Sequence, residues 1–475
     1  MPITKLKNFR IKNICCIGAG YVGGPTMSVI AKYCPDITVN VVDINKDRIN
    51  SWNGDFDKLP IFEPGLSKIV SNVRGKNLFF SNDVNEAIKL ADMIFISVNT
   101  PIKSHGIGAG EASDLRWVEA SARKISLYAR DHTIVVEKST LPVKTAEIIK
   151  SILDSSDQDS DEKDNGKTFS VLSNPEFLAE GTAIDDLENP DRVLIGGEDK
   201  ESIDLLKKIY LRWVDKKKII TTNLWSSELS KLIANAFLAQ RISSINSVSA
   251  ICESTGANVE EVAKAVGTDS RIGSKFLNSG PGVGGSCFKK DILNLAYICK
   301  SLGLEEVASY WEGIMKINDW QQDRIYKAVV DKLYGNISGK TIVILGFSFK
   351  ANTNDIRNSP SIKISRQLLG EDAKLVISDP KVEKNKIFEA LMYKDKDINF
   401  ENKISFEIDI AKAIENSDAV LIMTEWEEYK NLDWKFLQNK MRKPSWVFDT
   451  RSIISIQKIK ETNLNLWQLG NGEFN

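Results

Sequence analysis

An apolar run, Ile14–Ile17, leads straight into Gly18-Ala19-Gly20-Tyr21-Val22-Gly23 and then into a stretch of helical character. No other feature narrows the choice of fold as much. The first glycine permits a tight turn, and the second lets the backbone approach a diphosphate. The third lets helix and strand pack closely, with the diphosphate at the helix N-terminus. Alone, the spacing is a weak signal and fits a merely structural turn. Here the next apolar run, Val39–Val42, ends at Asp43, where a carboxylate can accept ribose hydroxyls. The pair points to a dinucleotide without a 2′-phosphate, because Asp43 would repel one; Arg48 close by is a cation that could attract one.

The same alternation continues through Met93–Val98, Ile134–Val136, Phe169–Leu172 and Val193–Ile195, the pattern of a parallel α/β sheet. Asn99-Thr100-Pro101 and Ser139-Thr140 follow two of these runs, at the carboxyl edge of such a sheet, where loops meet a ligand. Asp154–Gly166 interrupts the pattern with an acidic, almost apolar-free segment that reads as a mobile surface loop.

From residue 226 the periodicity changes. SSELSKLIANAFLAQRISSINSVSAICEST carries apolar residues at helical spacing and meets no Pro or Gly before Gly256. Lys231 and Asn235 share a face of this helix, and their neighbours are apolar nearly all round. That favours burial over a solvated polar stripe. Further on, Gly280-Pro-Gly-Val-Gly-Gly-Ser-Cys287 is a glycine loop feeding a helix that starts near Phe288. A cysteine at a helix N-terminus has its thiolate favoured by the dipole. Asp291 lies one turn on, on the same face. The alternative for Cys287 is a small buried hydrophobe. Asn-Pro-Glu176-Phe-Leu-Ala-Glu180-Gly offers two carboxylates in a turn, which could equally be a helix cap.

Residues 340–475 return to α/β with runs at Thr341–Leu345, Lys374–Ile377, Ala419–Met423 and Trp446–Phe448. The expected fold is thus α/β: two Rossmann-like parallel-sheet domains joined by a long central helix in a helical middle domain. The boundaries are drawn at 1–222, 223–335 and 336–475. Lys+Arg number 63 against 64 Asp+Glu, so no basic field invites nucleic acid, and anionic ligands must be met by local groups. Two histidines and scattered cysteines leave no metal site to expect and suit a reducing, cytoplasmic setting. The N-terminus lacks a secretion signal, and no apolar run reaches the roughly 20 residues of a membrane span.

The motifs CIGAGYVGGPT, FISVNTP, EKSTLPV, LSNPEFLAEGTAI, NPDRVLIGG, SSELSKLIANAFLAQRISSINS, GGSCFKKD, ILGFSFK and FDTR together resemble the UDP-glucose 6-dehydrogenases of the nucleotide-sugar dehydrogenases, nearly end to end. That resemblance implies NAD as cofactor and UDP-glucose as substrate. It assigns NAD contacts to Gly18–Gly23, Asp43, Arg48, Val98, Asn99, Thr100, Pro101, Ser139, Thr140, Glu180 and Arg357. It assigns sugar-nucleotide contacts to Glu176, Phe177, Leu178, Glu180, Lys231, Asn235, Arg271, Phe276, Leu277, Gly284, Cys287, Phe349, Lys350 and Arg451.

The resemblance also implies a chemistry: two successive oxidations at C6, using two NAD and one water. Lys231 and Asn235 hold the C6 oxygen, Asp291 partners a catalytic water, and Cys287 attacks the aldehyde to give a thiohemiacetal and then a thioester. Glu176 and Thr140 assist hydrolysis. A homodimer or higher homo-oligomer, such as a hexamer, is implied, with Arg271 reaching the neighbouring subunit. The sequence departs from the animal-type pattern at Asn278 and Val283 of the glycine loop. The competing expectations are a dehydrogenase for a UDP-N-acetylhexosamine or GDP-mannose, a two-electron β-hydroxyacid dehydrogenase, and an inactive NAD-binding scaffold. A single oxidation would need no thiol, and the full set of six candidate catalytic residues argues against a scaffold.

Overall fold

The computed structural model describes residues 9–140, 142–155, 167–392 and 401–474. The chain divides into two compact units, Met1–Ala234 and Asn235–Asn475, and the division falls inside the 32-residue helix Leu224–Thr255.

The first unit is built on one sheet. Its strands are β1 (Asn13–Ile17), β2 (Thr38–Val42), β3 (Leu78–Ser81), β4 (Met93–Ile96), β5 (Thr133–Glu137), β6 (Phe169–Ser173), β7 (Val193–Gly197) and β8 (Ile219–Thr222). Their order is β3-β2-β1-β4-β5-β6-β7-β8. Successive side chains of a strand face opposite ways. Ile14 and Cys16 therefore enter one hydrophobic layer while Cys15 and Ile17 enter the other. Burial on both faces is why these strands read as unbroken apolar runs rather than alternating ones.

The parallel expectation fails at one junction. β6 and β7 pair antiparallel, with Leu172 opposite Gly197 and Ser173 opposite Gly196. Glycine makes this pairing possible: a Cβ on Gly197 would sit 2.5 Å from the Leu172 side chain. Asp154 and Ser155 end the helix Thr145–Ser155, which corrects the start of the expected loop; residues 156–166 lie outside the described residues.

In the second unit, β9 (Thr341–Leu345), β10 (Lys374–Ser378), β11 (Ile404–Phe406), β12 (Ala419–Ile422), β13 (Trp446–Asp449) and β14 (Asn465–Gln468) form a wholly parallel sheet. Its order is β11-β10-β9-β12-β13-β14. Both sheets reverse strand order beside their first strand, at β1/β4 and at β9/β12. Crevices of that kind receive ligands in open α/β sheets. Helices Phe288–Ser301 and Glu305–Lys332 pack on each other. Among the described residues, no helix is long and apolar enough to cross a membrane, and no cluster of His, Cys, Asp or Glu could hold a metal ion.

Candidate functional site

The turn after β1 lies at the first sheet's reversal point. Gly18 has φ +110°, and a Cβ there would lie 2.3 Å from the Ser97 carbonyl oxygen beyond β4, so only glycine fits. Gly20 is the opposite case: a Cβ would meet nothing within 4 Å, leaving backbone open to an approaching ligand. The helix that follows, Gly23–Tyr33, has no acidic residue in its first turn and no side-chain cap, so its dipole favours an anion.

Asp43 is 7% exposed. Its Oδ2 accepts the Ala19 N–H and an Arg48 Nη1 donor, both at 3.0 Å, and its Oδ1 accepts the Asn45 N–H at 2.9 Å. Arg48 is thereby paired with the carboxylate rather than presented alone to a phosphate. The two strand-end segments expected to share this edge are joined directly. Thr100 Oγ1 donates to the Thr140 carbonyl at 3.1 Å, and Ser139 Oγ donates to the Val98 carbonyl at 2.8 Å.

Glu176 follows β6 and is not a helix cap. Its Oε1 accepts the N–H groups of Phe177 and Leu178 at 2.8 and 3.1 Å. Its Oε2 pairs with Lys138 Nζ at 2.9 Å, and Thr26 Oγ1 donates to it at 3.4 Å. Burial alone would raise this carboxyl; the Lys138 charge and hydrogen bonds outweigh it and hold the group below the ordinary glutamate value. Two residues that place this turn escaped the sequence reading. Lys138 reads as part of a strand end, and Glu63 lies far off in sequence yet accepts the Gly181 and Ala183 N–H groups. A charged residue amid apolar ones, as in VVEKS, was the available signal for Lys138. Lys231 is 7% exposed, as its apolar neighbours implied, and its ammonium lies 5.2 Å from the Phe177 ring centroid.

In the second unit, Asn235 (5% exposed) donates its amide to Asp291 Oδ2 at 2.6 Å. Asp291 belongs to the first turn of Phe288–Ser301, and its N–H donates to the Cys287 carbonyl. Five of the six cysteines are buried and Cys287 alone is exposed, so the buried-hydrophobe alternative falls away for it. The glycine loop is held by buried amides that the sequence reading missed. Asn246 Oδ1 accepts the Gly280 N–H, Gln321 Nε2 donates to the Gly280 carbonyl, and Asn318 Oδ1 accepts the Val283 N–H. A Cβ on Gly284 would lie 2.6 Å from Phe349 Cβ. Phe349 and Lys350 follow β9, and Arg451 follows β13. Arg451 is braced rather than free: it donates to the Met423 and Phe349 carbonyls at 2.9 and 3.1 Å. Arg357 is paired with Asp355. Arg271 stands well out in solvent beside Asp269, with Phe276 exposed and Leu277 buried nearby in sequence.

Three stretches match one family: its NAD binding domain over residues 12–214, its central domain over 225–320 and its UDP binding domain over 343–456. The description common to them is UDP-glucose/GDP-mannose dehydrogenase. The chain belongs to that family. Among relatives of this dehydrogenase, UDP-glucose 6-dehydrogenase 4 of Arabidopsis thaliana is 52% identical, covering 96% of each chain. UDP-glucose 6-dehydrogenase of Gallus gallus is 53% identical, covering 94% of this chain and 90% of its own. A UDP-glucose dehydrogenase from the archaeon Pyrobaculum islandicum superposes with a TM-score of 0.82 at 27% identity, covering 98% and 99% of the two chains.

The dehydrogenase is an NAD-dependent oxidoreductase, and the structure fits that cofactor on its own terms. The open backbone at Gly20, the uncapped helix end and the carboxylate of Asp43 offer what a diphosphate and an adenosine ribose require.

Proposed function

We propose that this dehydrogenase oxidises the C6 hydroxyl of UDP-glucose to the carboxylate in two NAD-dependent steps. One observation carries this reading. The single exposed cysteine stands at a helix start behind a glycine loop, one turn from an aspartate tied to Asn235. An enzyme that stopped at the aldehyde would have no use for that thiol. The relatives over nearly the whole chain are named UDP-glucose 6-dehydrogenases, which supports this sugar nucleotide as the substrate.

NAD, when bound, supplies the hydride acceptor; Gly18–Gly23, Asp43, Arg48, Val98–Pro101, Ser139, Glu180 and Arg357 would hold it. The chain's own residues do the rest. Lys231 and Asn235 hold the C6 oxygen and manage its proton, with Asp291 orienting a water. Cys287 Sγ bonds to C6 at the aldehyde level and keeps it bound as a thiohemiacetal and then a thioester. Water, oriented by Glu176 and Thr140, breaks that bond and releases the acid. Phe177, Leu178, Phe276, Leu277, Gly284, Phe349, Lys350 and Arg451 bind the sugar nucleotide. The boundaries 1–222, 223–335 and 336–475 are proposed as cofactor, central and sugar-nucleotide segments.

We further propose a cytoplasmic homodimer or larger assembly through the central helices. Phe237 and Ile251 on the long helix are 53% and 61% exposed, and Tyr310 is 53% exposed. A second copy of the chain is the occupant proposed for this face, with Arg271 serving the neighbour's site. Light scattering across concentration tests it; a fully active monomer would refute it.

Counting NADH formed per UDP-glucose consumed tests the reaction, with two expected. UDP-galactose, UDP-N-acetylglucosamine and GDP-mannose should each show a lower kcat/KM, and a higher value for any of them would reassign the substrate.

A further inference from the structure

We propose that Lys138 is the positioning residue for the acid-releasing step: it fixes the Glu176 carboxylate in place and keeps it ionised. This rests on the role given to Glu176 above.

Lys138 immediately follows β5 and is 3% exposed. A buried ammonium with no partner would be very costly. Here Nζ meets three oxygens: Glu176 Oε2 at 2.9 Å, Asn174 Oδ1 at 3.1 Å and Tyr210 Oη at 3.2 Å. The frame around it is closed. Tyr210 Oη donates to Asn174 Oδ1 at 2.6 Å, and Asn174 Nδ2 donates to the Leu194 carbonyl at 2.7 Å. The turn after β6 and the helix Lys200–Tyr210 thus meet on one ammonium, and β7 braces that turn through Asn174.

Glu176 is gripped from both ends. Backbone N–H groups hold Oε1, while Lys138 and Thr26 hold Oε2, so the carboxylate plane cannot swing. Other charged or titratable groups also face the pair. Lys231 adds positive potential at Glu176, and Tyr210 and the buried Cys16 thiol face Lys138. Arg192 stacks 3.8 Å above the Phe177 ring next in sequence. Burial by itself pushes Glu176 up and Lys138 down, yet both groups move toward the charged form, as an ion pair requires. Lys138 contributes a full positive charge in direct contact with Oε2. With Lys138 removed, burial is left to act on Glu176 with less opposition, and a neutral acid orients water poorly.

The test uses the full-length enzyme turning over UDP-glucose and NAD. Intact-mass measurement follows acyl adduct on Cys287, and kcat and KM are recorded against pH. K138M should accumulate the adduct and shift the acid limb of kcat upward by about 1–3 units, the usual effect of an opposite charge on a carboxylate. KM for UDP-glucose should change little, and K138R should restore much of the limb. An unchanged limb and no adduct in a folded, NAD-binding K138M would overturn the proposal. E176Q separates the two ideas: if it releases acid normally, the role of Glu176 falls. If E176Q stalls while K138M does not, only the role of Lys138 falls. The wild type gives a readout that survives a misfolded variant. Its acid release should stay flat down to about pH 5, close to the ordinary glutamate value. A group titrating well above that in the release step would overturn the proposal.

Discussion

Asn235 Nδ2 lies 2.6 Å from Asp291 Oδ2, a hydrogen bond between a helix-borne amide and a carboxylate that is only 1% exposed. The contact joins two elements 56 residues apart and places Asp291 one turn beyond Cys287. A buried acceptor that loses its donor carries the cost of desolvation unrelieved. Asn235→Ala should therefore destabilise the protein by about 1–3 kcal/mol. Combined with Asp291→Ala, it should give clear non-additivity in denaturant midpoints. Additive effects would mean the two side chains do not support each other.

Cys287→Ser should bind UDP-glucose with near-normal affinity by calorimetry yet form little acid. Serine is a poorer nucleophile and would not hold C6 as a thioester. The exposed position of Cys287 makes the substitution structurally mild. Near-normal acid production would remove the covalent route.

Asp43 should decide between NAD and NADP. It holds both the Ala19 N–H and the Arg48 guanidinium. Asp43→Ser removes the repelling charge and frees Arg48 for a phosphate. The NAD:NADP ratio of kcat/KM should fall by about tenfold or more, equivalent to about 1.4 kcal/mol. An unchanged ratio would show that the ribose is read elsewhere.

Glu137 and Glu228 form a buried acidic pair in the first unit. Glu228 accepts the Lys144 and Ala146 N–H groups at 2.7 and 2.8 Å, which oppose the upward push of burial on its carboxyl without cancelling it. Burial, and then Glu228 itself, push the Glu137 carboxyl well above its usual range. The folded pKa exceeds the unfolded one, so Glu137 binds its proton more tightly when folded. The resulting stability is complete below the ordinary carboxylate value of about 4.3 and is lost as pH rises toward the folded pKa. Glu137→Gln mimics the protonated acid without titrating. Its Tm advantage over the wild type should grow as pH rises above that value; parallel Tm curves would refute the assignment.

Much of this protein was legible in its sequence because the physics there is local. GAGYVGG needs only its own turn and the next strand to declare a dinucleotide cradle, and the long helix announces itself by period. Every strand seen in the sequence is an inner one. The strands that went unread, β3, β8, β11 and β14, are the edges of the two sheets. An edge strand is short and partly exposed, as Ile219–Thr222 shows, so it writes no continuous apolar run. The antiparallel β6/β7 junction was hidden for another reason: strand direction is decided by which chain segment returns alongside, and two glycines only permit it.

The sequence by itself therefore determined the inner strands, the long helix, the cofactor cradle and the candidates Cys287, Lys231, Asn235 and Glu176. Tertiary structure alone decided their partners: Asp291 for Asn235, Lys138 for Glu176, and Asn246, Asn318 and Gln321 for the glycine loop. A lone buried polar group is unstable until something distant in sequence answers it, and spacing along the chain carries no record of which group that is.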